Sequence, residues 1–187
     1  RFGGAALAWS RSVASIPSDV VIVGSGFGGS LLAWILCSRG QRVTLVDQAY
    51  HPRFAIGESS TPLADFLLEH IAHEFNLPQL EALSRWGRWR RALPEVRCGK
   101  KRGFSYYAHH SGEAFYESGE HEHSWLVAAS ANDELSDTHW MRSDVDGWLC
   151  EQARAAGAEV YEGVSIAGLE QSNAGWNITG FRQPWDA

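Results

Sequence analysis

A strand-like run, a turn of spaced glycines and a helical pattern follow one another between residues 19 and 39. Asp19-Val-Val-Ile-Val23 is short and β-branched, as a strand buried in a parallel sheet reads. It runs into Gly24-Ser-Gly-Phe-Gly-Gly29. Leu31, Leu32, Ile35 and Leu36 then fall on one face of a helix over 28–39, and Gly40 supplies its stop. Arg42-Val-Thr-Leu-Val46 is a second strand. Strand, tight turn, helix and strand within about thirty residues form a right-handed βαβ unit. The expected fold is α/β and Rossmann-like, a three-layer arrangement built on that unit.

The glycines occupy all three positions of G-x-G-x-x-G, and each answers a different need. Gly24 permits the tight turn out of the strand, Gly26 lets the backbone approach a pyrophosphate, and Gly29 lets the helix pack on the sheet. Phe27 and Gly28 fill the two open positions, where the helix start aims free N–H groups and its positive dipole end at phosphate. Ala33 and Gly40 follow, Val43 lies in the next strand, and Asp47 ends it. An acid about twenty residues past the glycines is where adenosine ribose hydroxyls are met. The same carboxylate repels a 2′-phosphate and so disfavours NADP. Gly24, Gly26, Phe27, Gly28, Gly29 and Asp47 are the candidate dinucleotide-binding residues.

Further along, residues 51–61 read as a loop, followed by a helix over 63–75 with Pro62 near its first turn and a shorter helix over 80–89. Strands are expected at 104–107 and 124–128. Val145, Trp148, Leu149 and Ala153 have helical spacing over 142–156, with Gly157 as the stop. A third parallel strand is expected at 159–161, and a hairpin over 165–179 turning near Asn173-Ala-Gly175. Residues 1–17, rich in small residues and Ser with two Arg and no acid, are left unassigned as a transit peptide or a ragged start.

The balance of 44% hydrophobic and 20% charged residues is that of a globular chain, and the net charge of −6 argues against nucleic acid as a partner. Cys37, Cys98 and Cys150 are an odd, widely spaced set, which points to a reducing, cytoplasmic setting rather than a disulfide framework or zinc site. No apolar run reaches membrane-spanning length. His109, His110, His121 and His123 lie among Glu113, Glu117, Glu120 and Glu122 and read as a solvated loop, so no metal is expected. His139 reads as a buried, hydrogen-bonded side chain. Nine tryptophans are unusual; Trp125, Trp140 and Trp148 are pocket candidates, with core packing the alternative.

Three later stretches carry a resemblance. Pro52-Arg-Phe-Ala-Ile-Gly-Glu-Ser-Ser-Thr-Pro62 resembles the Gly-Glu-(Ala/Ser)-x-x-Pro loop of the flavin-dependent halogenases, the tryptophan halogenase-like family, with Gly57, Glu58, Ser59 and Pro62 matching. Lys100-Lys-Arg-Gly-Phe-Ser-Tyr-Tyr107 is similar to that family's Lys, Gly and aromatic strand. Arg142-Ser-Asp-Val-Asp-Gly-Trp-Leu149 resembles the Arg-x-x-x-Asp-x-x-Leu helix shared by flavin hydroxylases, reductases and halogenases. The resemblance covers residues 19–164 and makes FAD the expected cofactor. It implies that Gly57, Glu58 and Ser59 line the flavin and that Arg142 faces the cofactor, its alternative being an ion pair with Asp146 one turn on. It also implies that Lys101, or alternatively Lys100, holds a small oxidant; on residues alone both read as a solvated basic turn.

What the resemblance implies for function is an FAD-dependent oxidoreductase using reduced flavin and oxygen on an organic, aromatic substrate, with a separate flavin reductase as partner. A flavin monooxygenase, an isoprenoid-type reductase or a non-catalytic FAD-binding fragment are the alternatives. The family's Trp-x-Trp-x-Ile-Pro signature is absent, and Trp86-Gly-Arg-Trp89 has a different spacing. The expectation is therefore an incomplete FAD domain over 18–187, containing the start of an antiparallel substrate region at roughly 90–135.

Overall fold

The computed structural model describes residues 15–128 and 130–182, so most of the unassigned segment 1–17 and the last five residues of the expected domain lie outside it. The chain opens with β1 (Val20–Val23), α1 (Phe27–Ser38) and β2 (Val43–Val46). Next come β3 (Glu58–Ser59), α2 (Pro62–Glu74), a 3-10 turn at Leu80–Ser84 and α3 (Trp86–Ala92). Four strands follow, β4 (Cys98–Lys101), β5 (Gly103–Tyr107), β6 (Ser124–Ala128) and β7 (Asp137–Trp140). The described residues end with α4 (Arg142–Ala155), β8 (Glu159–Tyr161), β9 (Val164–Ser172) and β10 (Gly175–Arg182).

β1, β2 and β8 form the parallel sheet, with β2 in the middle and buried at every position. Both expected crossovers are present. α1 joins β1 to β2, and α4 feeds β8. The two helices pack on each other, and the fully buried Ala33 and Ala153 have no side-chain bulk to hold them apart. Trp34 meets Trp148 edge-on at 5.9 Å between ring centroids. This second helix changes the buried face of α1 from the one its periodicity predicts. Ala33 and Trp34 are buried, and Leu32 is exposed.

Thr61 caps α2 by accepting the Ala64 N–H at 3.2 Å, with Pro62 in the first turn. The single helix expected over 80–89 is two pieces. Arg85 is extended between them, and the Trp86 N–H donates to the Ser136 carbonyl instead of continuing a helix. The break lets Leu80, Leu83 and Trp89 all enter the core.

A second, antiparallel sheet of order β3-β7-β4 has no counterpart in the sequence reading. Its strands are short and its buried positions are polar (Lys101, Asp137 and Thr138) except for Trp140, so neither apolar alternation nor a β-branched run marks them. β5 and β6 pair antiparallel as expected, and Gly103 is required there because a Cβ would lie 2.2 Å from the Val127 carbonyl oxygen. β9 and β10 form the expected hairpin, longer by a few residues at its open end.

Candidate functional site

The glycine turn is built by three different constraints. Gly24 has φ +103° and donates its N–H to the Val46 carbonyl at 2.7 Å, tying the turn to the end of β2. Gly29 sits against Gly24, where a Cβ would lie 1.9 Å from the Gly24 oxygen. Gly26 differs. Its φ of −72° suits any residue, and the atoms nearest to a Cβ there would be Arg53 Nη2 at 3.4 Å, Arg142 Nη2 at 3.7 Å and Asp146 Oδ2 at 3.7 Å. Among the described residues nothing demands glycine at 26. Gly26 is also the N-cap of α1, and no side chain caps that helix, so its first-turn N–H groups are left for another acceptor. Phe27 opens α1 and its ring packs on Trp140 at 4.8 Å, while a Cβ on Gly28 would meet open space.

Asp47 is buried and serves the turn directly. Its Oδ2 accepts the Ser25 N–H at 2.7 Å and the Ser25 hydroxyl at 2.9 Å, and its Oδ1 accepts the Ala49 N–H at 2.8 Å. Burial pushes its pKa up, but the Ala49 and Ser25 donors together with Arg53 outweigh that and hold it below the ordinary carboxylate value. Ser25, fully buried, stands at a freely variable position of the fingerprint and goes unmarked in the sequence.

Two guanidinium groups flank Gly26. Arg53 Nη2 lies 3.4 Å from Asp47, while its Nε is buried with no hydrogen-bond partner. Arg142 makes the ion pair with Asp146 that its i, i+4 spacing allows, through Nε to Oδ1 at 2.7 Å and Nη2 to Oδ2 at 3.0 Å. It also reaches Glu58 at 2.8 Å. The hydrogen bonds to Asp146 lead in raising its pKa. Glu58 and Ser59 form β3, which pairs with Trp140 and His139 of β7, and a Cβ on Gly57 would stand 3.2 Å from the Trp140 carbonyl oxygen. The loop around 51–61, the glycine turn and the start of α4 thus converge on Gly26. Arg53 was legible only as part of the loop, because a lone Arg after Pro carries no pattern.

The two lysines lie on opposite faces of β4, which corrects the reading of them as a turn. Lys100 faces outward, 2.7 Å from Asp133 and 5.4 Å from the centre of the Trp86 ring. Lys101 is buried, donates to the Ser60 carbonyl and sits 3.7 Å over the Phe104 ring. Burial lowers its pKa, opposed by the charges of Asp137 and Asp65.

The other candidates disperse. Trp140 packs in the core against Phe27 and Trp89, Trp148 against Trp34, and Trp125 is exposed on β6. His139 is exposed rather than buried, since the alternation of β7 turns it away from its buried neighbours Thr138 and Trp140. His121 pairs with Glu117 at 2.8 Å. All three cysteines are free thiols. Among the described residues no helix is long and apolar enough to cross a membrane.

A parallel βαβ unit whose helix opens on a glycine-rich turn defines a Rossmann-like α/β protein. The chain belongs to the FAD dependent oxidoreductase family, whose sequence profile matches residues 19–186. It is 30% identical over 166 residues to tetracycline 7-halogenase of Kitasatospora aureofaciens, covering 88% of this chain and 28% of that protein. Monodechloroaminopyrrolnitrin halogenase PrnC of Pseudomonas fluorescens is 29% identical over 164 residues, 86% of this chain and 28% of its own length. Among solved structures, halogenase PltM in complex with phloroglucinol and FAD superposes with a TM-score of 0.74 at 30% identity, over 89% of this chain and 32% of that one. The chain therefore spans about 28% of the length of the curated relatives it matches. A geranylgeranyl bacteriochlorophyll reductase-like protein from Thermoplasma acidophilum shares the fold, with a TM-score of 0.52 at 19% identity.

Proposed function

We propose that the turn from Gly24 to Gly29 binds the ADP half of FAD, and that the protein works as a halogenase-like FAD-dependent oxidoreductase. The observation that carries this reading is Gly26, a glycine that no internal contact requires, standing between two guanidiniums at an uncapped helix start. A diphosphate close to that backbone is what would exclude a side chain there. The N–H groups of Phe27, Gly28 and Gly29 and the unpartnered Arg53 Nε are the donors for it. Arg142 adds positive charge while Asp146 fixes its guanidinium plane. Asp47 Oδ1, with one N–H bound, keeps a lone pair for the adenosine ribose. Gly57, Glu58 and Ser59 stand beside the same turn through the Glu58–Arg142 pair.

The bound flavin would supply the redox chemistry, and the chain supplies binding, orientation and exclusion of water. Reduced flavin and oxygen would be used on a small organic substrate, aromatic in the reading favoured here, with a separate flavin reductase as partner and the cytoplasm as setting. Residues 90–135 would begin the substrate region, and Lys101 would be the group that meets a small oxidant, since Lys100 is committed to Asp133. Both the halogenases PltM, PrnC and tetracycline 7-halogenase and the family match support this reading.

Titration of the purified protein with FAD, followed by flavin absorbance and fluorescence, tests the binding. Saturable binding at micromolar FAD is expected, and no binding there overturns the reading. Halide-dependent product from an electron-rich aromatic compound, with a reductase added, separates halogenation from hydroxylation. Binding without any product from either reaction would leave an FAD-binding fragment.

A further inference from the structure

Lys101 stands opposite Asp137 in the β4–β7 register, and both side chains are buried, at 7% and 2% exposure. Asp65, on the first turn of α2, is fully buried as well. Among the described residues, neither carboxyl oxygen of Asp65 meets a donor, and nor does Oδ2 of Asp137. Three donors near them are committed elsewhere. Lys101 Nζ donates to the Ser60 carbonyl, and the Thr138 N–H to Ser60 Oγ at 2.8 Å. Arg85, the other cation whose charge reaches Asp65, binds Glu69 at 3.1 Å.

Two buried carboxyl groups in contact cannot both ionise without a large cost, and one proton between them satisfies both as an O–H···O bond. Burial leads in raising the Asp65 carboxyl to about 7, the hydrogen bond and charge of Asp137 add to it, and the nearby Ser60 hydroxyl and the Arg85 charge oppose it without cancelling it. What the pair then presents to Lys101 is one negative charge. That charge offsets the loss of hydration which would otherwise strip the proton from a buried lysine.

We infer that Asp65 and Asp137 share one proton and together act as the positioning charge that keeps the buried Lys101 an ammonium. Lys101 is then a hydrogen-bond donor with no lone pair, able to hold an anionic or electron-rich small molecule and unable to act as an amine nucleophile. The inference deepens the reading of Lys101 as a site residue. Its test reads the charge of Lys101 without FAD, so the two fail separately.

The chain contains two lysines, Lys100 and Lys101, so lysine labelled with 13C at Cε gives two resonances, with the outward-facing Lys100 as an internal reference. The Lys101 resonance should show a step as the pair titrates near neutral pH, with no such step at Lys100. Asp65→Asn should abolish the step, because it removes the titrating carboxyl, and Asp137→Asn should move the step to lower pH, because burial alone still holds Asp65 up. The double variant should lower the affinity of Lys101 for its own proton about tenfold or more, one pKa unit. On the unaltered protein, an infrared band of a protonated carboxyl should persist at about pH 6, where ordinary carboxyls are ionised. Absence of that band, survival of the step in Asp65→Asn, an unshifted step in Asp137→Asn, or an unmoved Lys101 midpoint in the double variant would overturn the inference.

Discussion

The α-carbon of Gly29 is wedged against the carbonyl of Gly24, so closely that a methyl group on Gly29 would lie 1.9 Å from that oxygen. The first turn of α1 and the exit of β1 are locked together by this contact, which fixes where the helix N–H groups point. Gly29→Ala must push backbone against backbone and should destabilise the fold by about 3 kcal/mol, the upper part of the range for overpacking. Urea denaturation gives the value, and a change within error of zero would show that the turn relaxes freely.

Gly26→Ala should behave in the opposite way. Its Cβ makes only ordinary contacts with Arg53, Arg142 and Asp146, and its backbone is unstrained. Stability should change by no more than about 1 kcal/mol, the scale of an N-cap exchange, while FAD affinity falls at least about tenfold, or 1.4 kcal/mol. Parallel melting curves and FAD titrations check this. Equal FAD affinity in the variant would count against the placement of a diphosphate at Gly26.

Arg142→Gln leaves Asp146, fully buried, without its charge partner. The expected loss is about 3 kcal/mol, at the lower end for breaking a buried pair because Arg142 is partly solvated through its contact with Glu58. The double variant with Asp146→Asn should recover part of that loss. A double-mutant cycle with no coupling would show that the pair contributes little.

Asp47→Ala removes the acceptor for four donors at once, from Ser25 N, Ser25 Oγ, Ala49 N and Arg53 Nη2. Ser25 Oγ keeps His51 Nε2 at 2.9 Å, and the loss of the acceptor for the others should cost about 3 kcal/mol. Both stability and FAD binding should fall, and Asp47→Asn should retain part of each. A variant that loses FAD affinity at unchanged stability would assign Asp47 to the ligand alone.

The pH dependence of stability should carry two opposite contributions. Asp65 has a folded pKa raised to about 7, so its contribution is full below its unfolded pKa of about 4 and is lost as pH rises from about 4 to about 7. Asp144 is lowered to about 2, chiefly by its hydrogen bond to Arg97, so its contribution is present above about pH 4 and is lost as pH falls toward 2. Denaturation at stepped pH should show Asp65→Asn flattening the upper decline while leaving the acid limb unchanged.

The local grammar of residues 19–47 determined the βαβ unit, because glycine spacing, β-branched runs and helix stops are read from neighbours in the chain. The same holds for α4, with its Arg142–Asp146 pair, and for the turn of the last hairpin. Tertiary structure alone decided which polar residues meet. Asp137 and Thr138 look like surface residues in sequence, and only the pairing of β7 with β3 and β4 buries them beside Lys101. Spacing to Gly103 favours Lys101 over Lys100, but which of the two is buried is not in the sequence, since adjacent strand residues point to opposite faces and the sequence does not say which face is covered. Arg53 and Ser25 gain their roles from a loop and a turn that are distant in sequence and adjacent in space. Short-range patterns encode backbone geometry. Burial of charge depends on contacts that only the assembled fold creates.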